Sequence, residues 1–153
     1  MVSHRQPGPD ERHILLVEDN PDDITLTLRA FHMNRLANRV EVVRDGEQAL
    51  AYLFGRATYA ARDLRDAPAL VLLDLKLPKI DGLEVLRQLR ADPRTRCQPV
   101  VILTSSQAER DLIEGYNLGA NSYVRKPVDF NQFVQAAREL ELYWLMINEP
   151  PPR

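Results

Sequence analysis

The chain has 153 residues, 44% hydrophobic and 7% aromatic, which suits one ordinary globular domain. Its 20 basic and 22 acidic residues give a net charge of −2, so charge alone does not indicate a nucleic-acid-binding domain. A single cysteine excludes an internal disulfide, and no apolar run approaches the roughly 20 residues needed to cross a bilayer. Because the first twelve residues lack the apolar core of a secretory signal, we expect a cytoplasmic protein.

The ends of the chain differ in composition from its middle. Residues 1–12 are polar and contain Pro and Gly, which predicts a disordered lead-in, and residues 149–153 predict a Pro-rich tail. Residues 13–148 are patterned throughout and are expected to form the single folded domain.

Short apolar runs alternate with stretches of helical periodicity in this middle region. The predicted strands are 13–19, 39–45, 68–74, 98–105 and 121–126. The predicted helices are 22–35, 46–54, 82–91, 107–118 and 129–148. Segment 55–68 is longer than a typical connection, and it predicts either a mobile loop or an extension of the preceding helix.

The first, third and fourth predicted strands are apolar on both faces, which is typical of central parallel strands covered by helices on both sides. The second strand alternates more and is a candidate edge strand. This pattern favours an α/β fold: a doubly wound, five-stranded parallel sheet of order 2-1-3-4-5, as in flavodoxin-like proteins. Its ligand site is expected beyond the carboxyl ends of the strands, where strands 1 and 3 diverge.

Polar side chains end four of the predicted strands. Glu18 and Asp19 end the first strand, and Asp74 ends the third. Thr104 and Ser105 end the fourth strand, and Lys126 ends the fifth. Three adjacent carboxylates repel one another, so the cluster is tolerable mainly if a cation binds there or the lysine reaches in. All-oxygen ligands favour Mg²⁺.

Such a site can hold a phosphoryl group in line with an attacking carboxylate, and the central Asp74 is the natural nucleophile. Any one of these residues could equally be a helix cap or a solvated loop residue. Their joint occurrence, in the order that one fold requires, makes coincidence a poor explanation.

Four segments make the chain resemble the receiver domain of two-component response regulators, over residues 13 to about 147. They are LLVEDNPDD, LVLLDLKLPKIDG, VVILTSS and GANSYVRKP. The resemblance implies that Glu18, Asp19 and Asp74 bind Mg²⁺, with the backbone carbonyl of Lys76 as a further ligand. It also implies that Asp74 accepts a phosphoryl group from a histidine of a sensor kinase, with Lys126 as the site lysine.

In the same resemblance, Thr104 and Tyr123 are the switch residues that respond to phosphorylation. The side chains of Lys76 and Ser106 flank the path of the hydrolytic water, which implies that they tune the phosphate lifetime. Two plainer interpretations stay open. Lys76 is then an ordinary surface lysine, and Tyr123 is a half-buried aromatic residue of an edge strand.

The late part of the last predicted helix is apolar on more than one side, which indicates an interface. The interface candidates are Leu142, Tyr143, Leu145 and Met146. We expect a homodimer through the predicted helix 107–118, strand 121–126 and helix 129–148. Packing of these residues on segment 55–68 is the alternative.

The long segment before the third strand, the YW pair and the Pro-rich end also resemble stand-alone response regulators of the bacterial and cyanobacterial phytochrome type. This implies a phytochrome kinase as partner. Because no DNA-binding helix pair or catalytic domain is predicted after the last helix, we expect output by protein contact. The alternatives are a phosphorelay intermediate or a phosphate sink, for which the phosphate lifetime would be short.

A third alternative is a small-molecule phosphohydrolase that works through an aspartyl phosphate. It predicts a second acid two residues after Asp74, where this chain has Lys76. The three histidines, His4, His13 and His32, lack ligand-like spacing and are expected at the surface or at a strand edge.

Overall fold

The computed structural model describes residues 12–36, 38–105, 108–109 and 117–139. Strand and helix alternate along them, as predicted. The strands are β1 (His13–Val17), β2 (Arg39–Val43), β3 (Leu70–Asp74), β4 (Val100–Thr104) and β5 (Ser122–Arg125). The helices are α1 (Pro21–Met33), α2 (Gly46–Phe54), α3 (Gly82–Ala91) and α4 (Phe130–Glu139), with a short 3-10 helix at Ala57–Tyr59.

The five strands form one sheet of order β2-β1-β3-β4-β5 in which every pairing is parallel. The predicted doubly wound sheet is confirmed, and β2 lies at its edge. Every residue of β1, β3 and β4 is buried, whereas β2 is buried only at its last residue, Val43. The carboxyl ends of β1 and β3 therefore meet at one rim of the sheet.

The core lies on both faces of the sheet. Leu15 and Val17 of β1 join the apolar cluster that includes side chains of α2 and α3. Ile14 and Leu16 join the cluster on the opposite face, with side chains of α1 and α4. Because successive strand residues point to opposite faces, central strands need apolar side chains at every position.

The first strand ends earlier than predicted, and the first helix begins and ends earlier; these differences position the site. β1 ends at Val17 rather than at residue 19, so Glu18 and Asp19 project beyond the strand. α1 begins at Pro21, because the side chain of Asn20 accepts hydrogen bonds from the N–H groups of Asp22 and Asp23 (2.9 and 3.1 Å).

Segment 55–68 does not extend α2, and that interpretation is wrong. The helix ends at Gly55, whose φ of +67° is a left-handed conformation that glycine adopts easily. The segment then folds back onto α2: the guanidinium of Arg62 lies 3.9 Å from the ring centre of Tyr52 and donates a hydrogen bond to its carbonyl (3.0 Å).

Several predicted features lie outside the described residues. They are most of the predicted helix 107–118, the last helix beyond Glu139, Ser106, and the interface candidates Leu142, Tyr143, Leu145 and Met146. In the part of the chain that is described, no helix combines the length and apolar character that a membrane span requires.

His13 is fully buried at the start of β1 rather than at the surface. Its Nε2 lies 2.7 Å from the hydroxyl of Tyr52, and burial lowers the pKa of the imidazole against the weaker opposing effect of Asp66. Of the two expected places, the surface is therefore wrong for this histidine, which begins β1 and whose ring is part of the packing between β1 and α2.

Candidate phosphoacceptor and metal site

Three carboxylates meet at the rim beyond β1 and β3. Glu18 and Asp19 follow β1 directly, and Asp74 is the last residue of β3. Each offers an oxygen within 4.8 Å of the other two. Glu18 and Asp74 are only 1% and 5% exposed, whereas Asp19 is half-buried. The structure thus brings together the three acids that the sequence predicted.

Lys126 points into this cluster from the end of β5. Its Nζ lies 2.6 Å from Oε1 of Glu18 and 3.0 Å from Oδ2 of Asp74. The backbone N–H of Lys126 donates to the carbonyl of Thr104 (2.8 Å), which holds the lysine against the end of β4. Lys126 Nζ also lies 3.3 Å from Oδ2 of Asp23, a fourth carboxylate that the sequence analysis missed. Its signal was its place in the first turn of α1, which begins directly after Glu18, Asp19 and the helix-capping Asn20.

Burial and the neighbouring charges shift the pKa values of Glu18 and Lys126. Burial raises the pKa of Glu18 from 4.5 to about 7, together with the hydrogen bond and charge of Asp74 and against the opposing effect of Lys126. Burial lowers the pKa of Lys126, but its close ion pairs with the carboxylates of Glu18 and Asp74 outweigh that effect, so the net shift is upward. One lysine therefore does not fully compensate the buried acids.

The donor set fits a hard divalent cation. The three acids supply only oxygen ligands, as Mg²⁺ and Mn²⁺ accept. Oε1 of Glu18 is buried and has no partner with hydrogen-bonding geometry among the described residues, although Lys126 Nζ lies close to it. A buried carboxylate oxygen in this condition is stabilised when a cation binds beside it.

Two glycines allow the loop after Asp74 to pack closely. The N–H of Gly82 donates to the carbonyl of Leu75 (2.9 Å), and a Cβ at Gly82 would lie only 2.2 Å from the carbonyl oxygen of Asp74. A Cβ at Gly46 would lie 1.8 Å from the carbonyl oxygen of Ile80. Both contacts are with backbone atoms, so larger residues would displace the loop that carries Lys76.

Thr104 and Tyr123, the predicted switch residues, lie in the neighbouring strands β4 and β5. Thr104 ends β4, one residue beyond Leu103, which pairs with Asp74 in the sheet. It is 5% exposed. Tyr123 pairs with Ile102 in β5 and is half-buried against the cluster on the α2 and α3 face. Thr104 is thus at the rim, and Tyr123 lies on the adjacent strand β5, two residues before the end of that strand.

The side chain of Lys76 points to another residue that the sequence analysis missed. Its Nζ lies 3.5 Å from Oε1 of Glu109, and Oε2 of Glu109 accepts a hydrogen bond from the N–H of Ser105 (2.6 Å). A Ser residue three positions before a Glu, as at 106 and 109, is a helix-start signal that could have drawn attention to it.

A family model of the response regulator receiver domain matches residues 14–138 of this chain. The chain belongs to the response regulator receiver family. The match includes every residue of the described sheet except His13, and all the rim residues above. The fold, the order of the strands and the acidic pocket of this receiver agree with its membership of a family that signals by phosphorylation.

Three solved structures resemble the receiver along most of both chains. The bacteriophytochrome response regulator RtBRR is 53% identical, with a TM-score of 0.83, over 92% of this chain and 84% of that one. The Mn²⁺-bound form of Rcp1, a response regulator of Synechocystis, is 34% identical, with a TM-score of 0.70, over 92% and 99%. The phosphorylated cyanobacterial phytochrome response regulator RcpA is 39% identical, with a TM-score of 0.70, over the same shares.

A curated relative with a different described role is also similar. The probable methanogenesis regulatory protein FilR2 of Methanothrix harundinacea is 43% identical over 90% of this chain and 86% of its own length. The receiver is thus a response regulator close to phytochrome response regulators. It is also similar in sequence to a regulator of another process.

Proposed function

We propose that the receiver accepts a phosphoryl group on Asp74 from a histidine of a sensor kinase, in a reaction that requires Mg²⁺. The observation that carries this proposal is the position of Asp74. Its carboxylate ends the central strand β3, contacts the ammonium of Lys126, and shares a buried cluster with Glu18 and Asp19. No other described carboxylate combines these three features.

Each rim residue has a distinct part in this proposal. Asp74 attacks phosphorus through a carboxylate oxygen, and Lys126 offsets negative charge on the transferred group. The hydroxyl of Thr104 donates a hydrogen bond to the phosphoryl group. Glu18, Asp19, Asp74 and the carbonyl of Lys76 would hold the metal, which when bound supplies positive charge to the phosphoryl oxygens.

The proposed partner is the histidine kinase of a bacterial phytochrome. Support comes from RtBRR and RcpA, which are described as phytochrome response regulators and align with nearly all of this chain.

A relay or phosphate sink is the second candidate, since it would use the same rim with a shorter phosphate lifetime. A phosphohydrolase fits less well, because the side chain of Lys76, where a second acid is needed, is a cation that pairs with Glu109.

The direct test incubates the wild-type protein with Mg²⁺ and acetyl phosphate and follows intact mass. We expect a phosphate-sized gain that is lost when EDTA replaces Mg²⁺, because the acid cluster then repels the incoming anion. Hydroxylamine should remove the gained mass, as it cleaves acyl phosphates. A gain that persists in EDTA or resists hydroxylamine would count against a metal-dependent aspartyl phosphate.

The proposed output is a change in self-association. In this proposal the phosphoryl group draws Thr104 inward, Tyr123 follows, and the surface formed by 107–118, β5 and 129–148 changes its affinity for a second copy. Tyr123 is half-buried and lies on β5, which pairs with the strand that ends in Thr104. This position supports a coupling between the movements of the two side chains.

Size-exclusion chromatography tests this dimer. We expect the dimer fraction to change on phosphorylation, and Leu145→Glu to weaken the dimer at least about tenfold, since a charge would be buried in an apolar interface. Leu26→Glu, at a 44% exposed position on α1, is the matched control and should leave the dimer unchanged. A dimer fraction that ignores both phosphorylation and Leu145→Glu would contradict the proposal.

A further inference from the structure

Glu109 connects the two sides of the rim. Its carboxylate bonds to the N–H of Ser105 (2.6 Å), directly after β4, and lies 3.5 Å from the ammonium of Lys76, two residues after β3. The Glu109 side chain is 17% exposed, whereas that of Lys76 is 80% exposed. A mostly buried carboxylate therefore lies beside a site that already contains Glu18, Asp19 and Asp74.

The two groups that Glu109 contacts are both able to bind an anion. An ammonium and a backbone N–H are both donors for phosphate oxygens. Both residues are near Asp74 in the fold. Lys76 follows Asp74 by two positions in the chain, and Ser105 follows by two positions Leu103, which pairs with Asp74 in the sheet. A phosphoryl group on Asp74 carries up to two negative charges where the carboxylate carried one, and it brings three acceptor oxygens, so it attracts the same donors and repels Glu109.

We propose that Glu109 is a positioning residue that competes with the Asp74 phosphoryl group for Lys76 and the N–H of Ser105. In the unphosphorylated protein Glu109 holds both donors, and after phosphorylation the phosphoryl oxygens take them. This inference rests on the proposed function. It adds a built-in competitor that lowers the rate of phosphorylation and shortens the life of the product.

Glu109 makes and breaks no bond in this scheme. During transfer a P–O bond forms to Asp74 while the bond from phosphorus to the donor's leaving group breaks. During hydrolysis water attacks phosphorus, the bond to Asp74 breaks, and orthophosphate leaves with release of the water proton to solvent. Glu109 acts only by fixing the positions of the Lys76 ammonium and the Ser105 N–H.

A purely structural role for Glu109 makes a different prediction. Ala108 and Glu109 are helical, and an acid that reaches back to a preceding N–H is a common helix cap. A cap needs an acceptor but neither a negative charge nor Lys76. Glu109→Gln keeps the acceptor and the size of the side chain and removes only the charge, so it separates the two roles.

The experiment measures phosphorylation by acetyl phosphate with Mg²⁺, and the decay after the donor is removed, in four proteins. These are the wild type, Glu109→Gln, Lys76→Met and the double variant. For Glu109→Gln we expect phosphorylation about two- to fivefold faster and a phosphate lifetime longer by a similar factor. In the Lys76→Met background, the effect of Glu109→Gln on lifetime should fall to less than half, because one contested donor is gone.

Glu41→Gln is the matched control, since Glu41 pairs with Arg39 on the distant edge strand β2 and should change neither rate nor lifetime. If the wild type is phosphorylated and Glu109→Gln behaves identically, or if the two substitutions are additive, the competition is wrong and the proposed function stands. If no protein gains phosphate, the proposed function fails and this inference fails with it.

Discussion

In an Asp74→Asn variant, the phosphate-sized gain in mass after incubation with Mg²⁺ and acetyl phosphate is expected to disappear. The rate should fall at least about a hundredfold, because a neutral amide does not replace a carboxylate as nucleophile. The substitution preserves size and removes one of three clustered negative charges, so it should not unfold the protein. Intact mass reports the phosphorylation, and circular dichroism reports the fold.

Asp81→Asn is the matched control for this experiment. Asp81 lies in the same loop, is exposed, and caps α3 by accepting a hydrogen bond from the N–H of Glu84 (2.9 Å), which asparagine can also do. This variant should gain phosphate at the wild-type rate. A full mass gain in Asp74→Asn would place the phosphoryl group on another residue.

Replacement of Lys126 by methionine is expected to destabilise the metal-free protein by about 2–4 kcal/mol at neutral pH. The variant leaves Glu18 and Asp74 buried beside each other without their lysine contacts, which are 2.6 and 3.0 Å long. Urea unfolding in EDTA measures the loss, and repeating it with Mg²⁺ should recover part of it, because the cation replaces the missing charge.

The loss of folding stability caused by Lys126→Met should depend on pH. In the wild type the folded-state pKa of Glu18 is about 7 against an ordinary value of 4.5, so the folded protein binds more protons than the unfolded chain between these values. Metal-free stability therefore falls as pH rises through this window. Removing Lys126 raises the pKa of Glu18 further, so the difference between variant and wild type should be small near about pH 5 and largest near about pH 8.

Lys79→Met controls for the removal of a lysine. Its Nζ lies 3.7 Å from Oδ2 of Asp45, and its side chain is 58% exposed, so its loss should change the free energy of unfolding by less than about 1 kcal/mol. Equal losses for the two variants, or a loss at Lys126 that is independent of pH, would contradict the view that Lys126 compensates buried carboxylates.

The fold was predictable because its signals are local and repeated. Apolar residues at every position of β1, β3 and β4 indicate strands covered on both faces, and helical periodicity between them leaves one common topology. Element ends were less predictable, since they depend on hydrogen bonds such as that of Asn20 and on the left-handed conformation at Gly55. The same limit explains the wrong interpretation of segment 55–68 as a helix extension.

The site was predictable where the topology requires it. The carboxyl ends of neighbouring parallel strands lie at one rim, so the strand-end residues Glu18, Asp74, Thr104 and Lys126 had to converge. The contacts of Asp23 and Glu109 were not predictable in this way, because both residues lie in helical turns whose side-chain directions depend on tertiary packing. The burial of His13 against Tyr52 was also missed, because the two residues are far apart in the chain and meet only when α2 packs on β1.

The sequence by itself determined the sheet, its strand order, and the set of acids and lysine at one rim, since alternation of strand and helix fixes which strand ends are neighbours. Only the tertiary structure decided how the charges pair. A lysine reaches several carboxylates with nearly equal ease, and the distances among Lys126, Glu18 and Asp74 follow from the packing of β1, β3 and β5. The pairing of Lys76 with Glu109 was decided there as well, because the partners are 33 positions apart in the chain and meet only when β3 and β4 lie side by side.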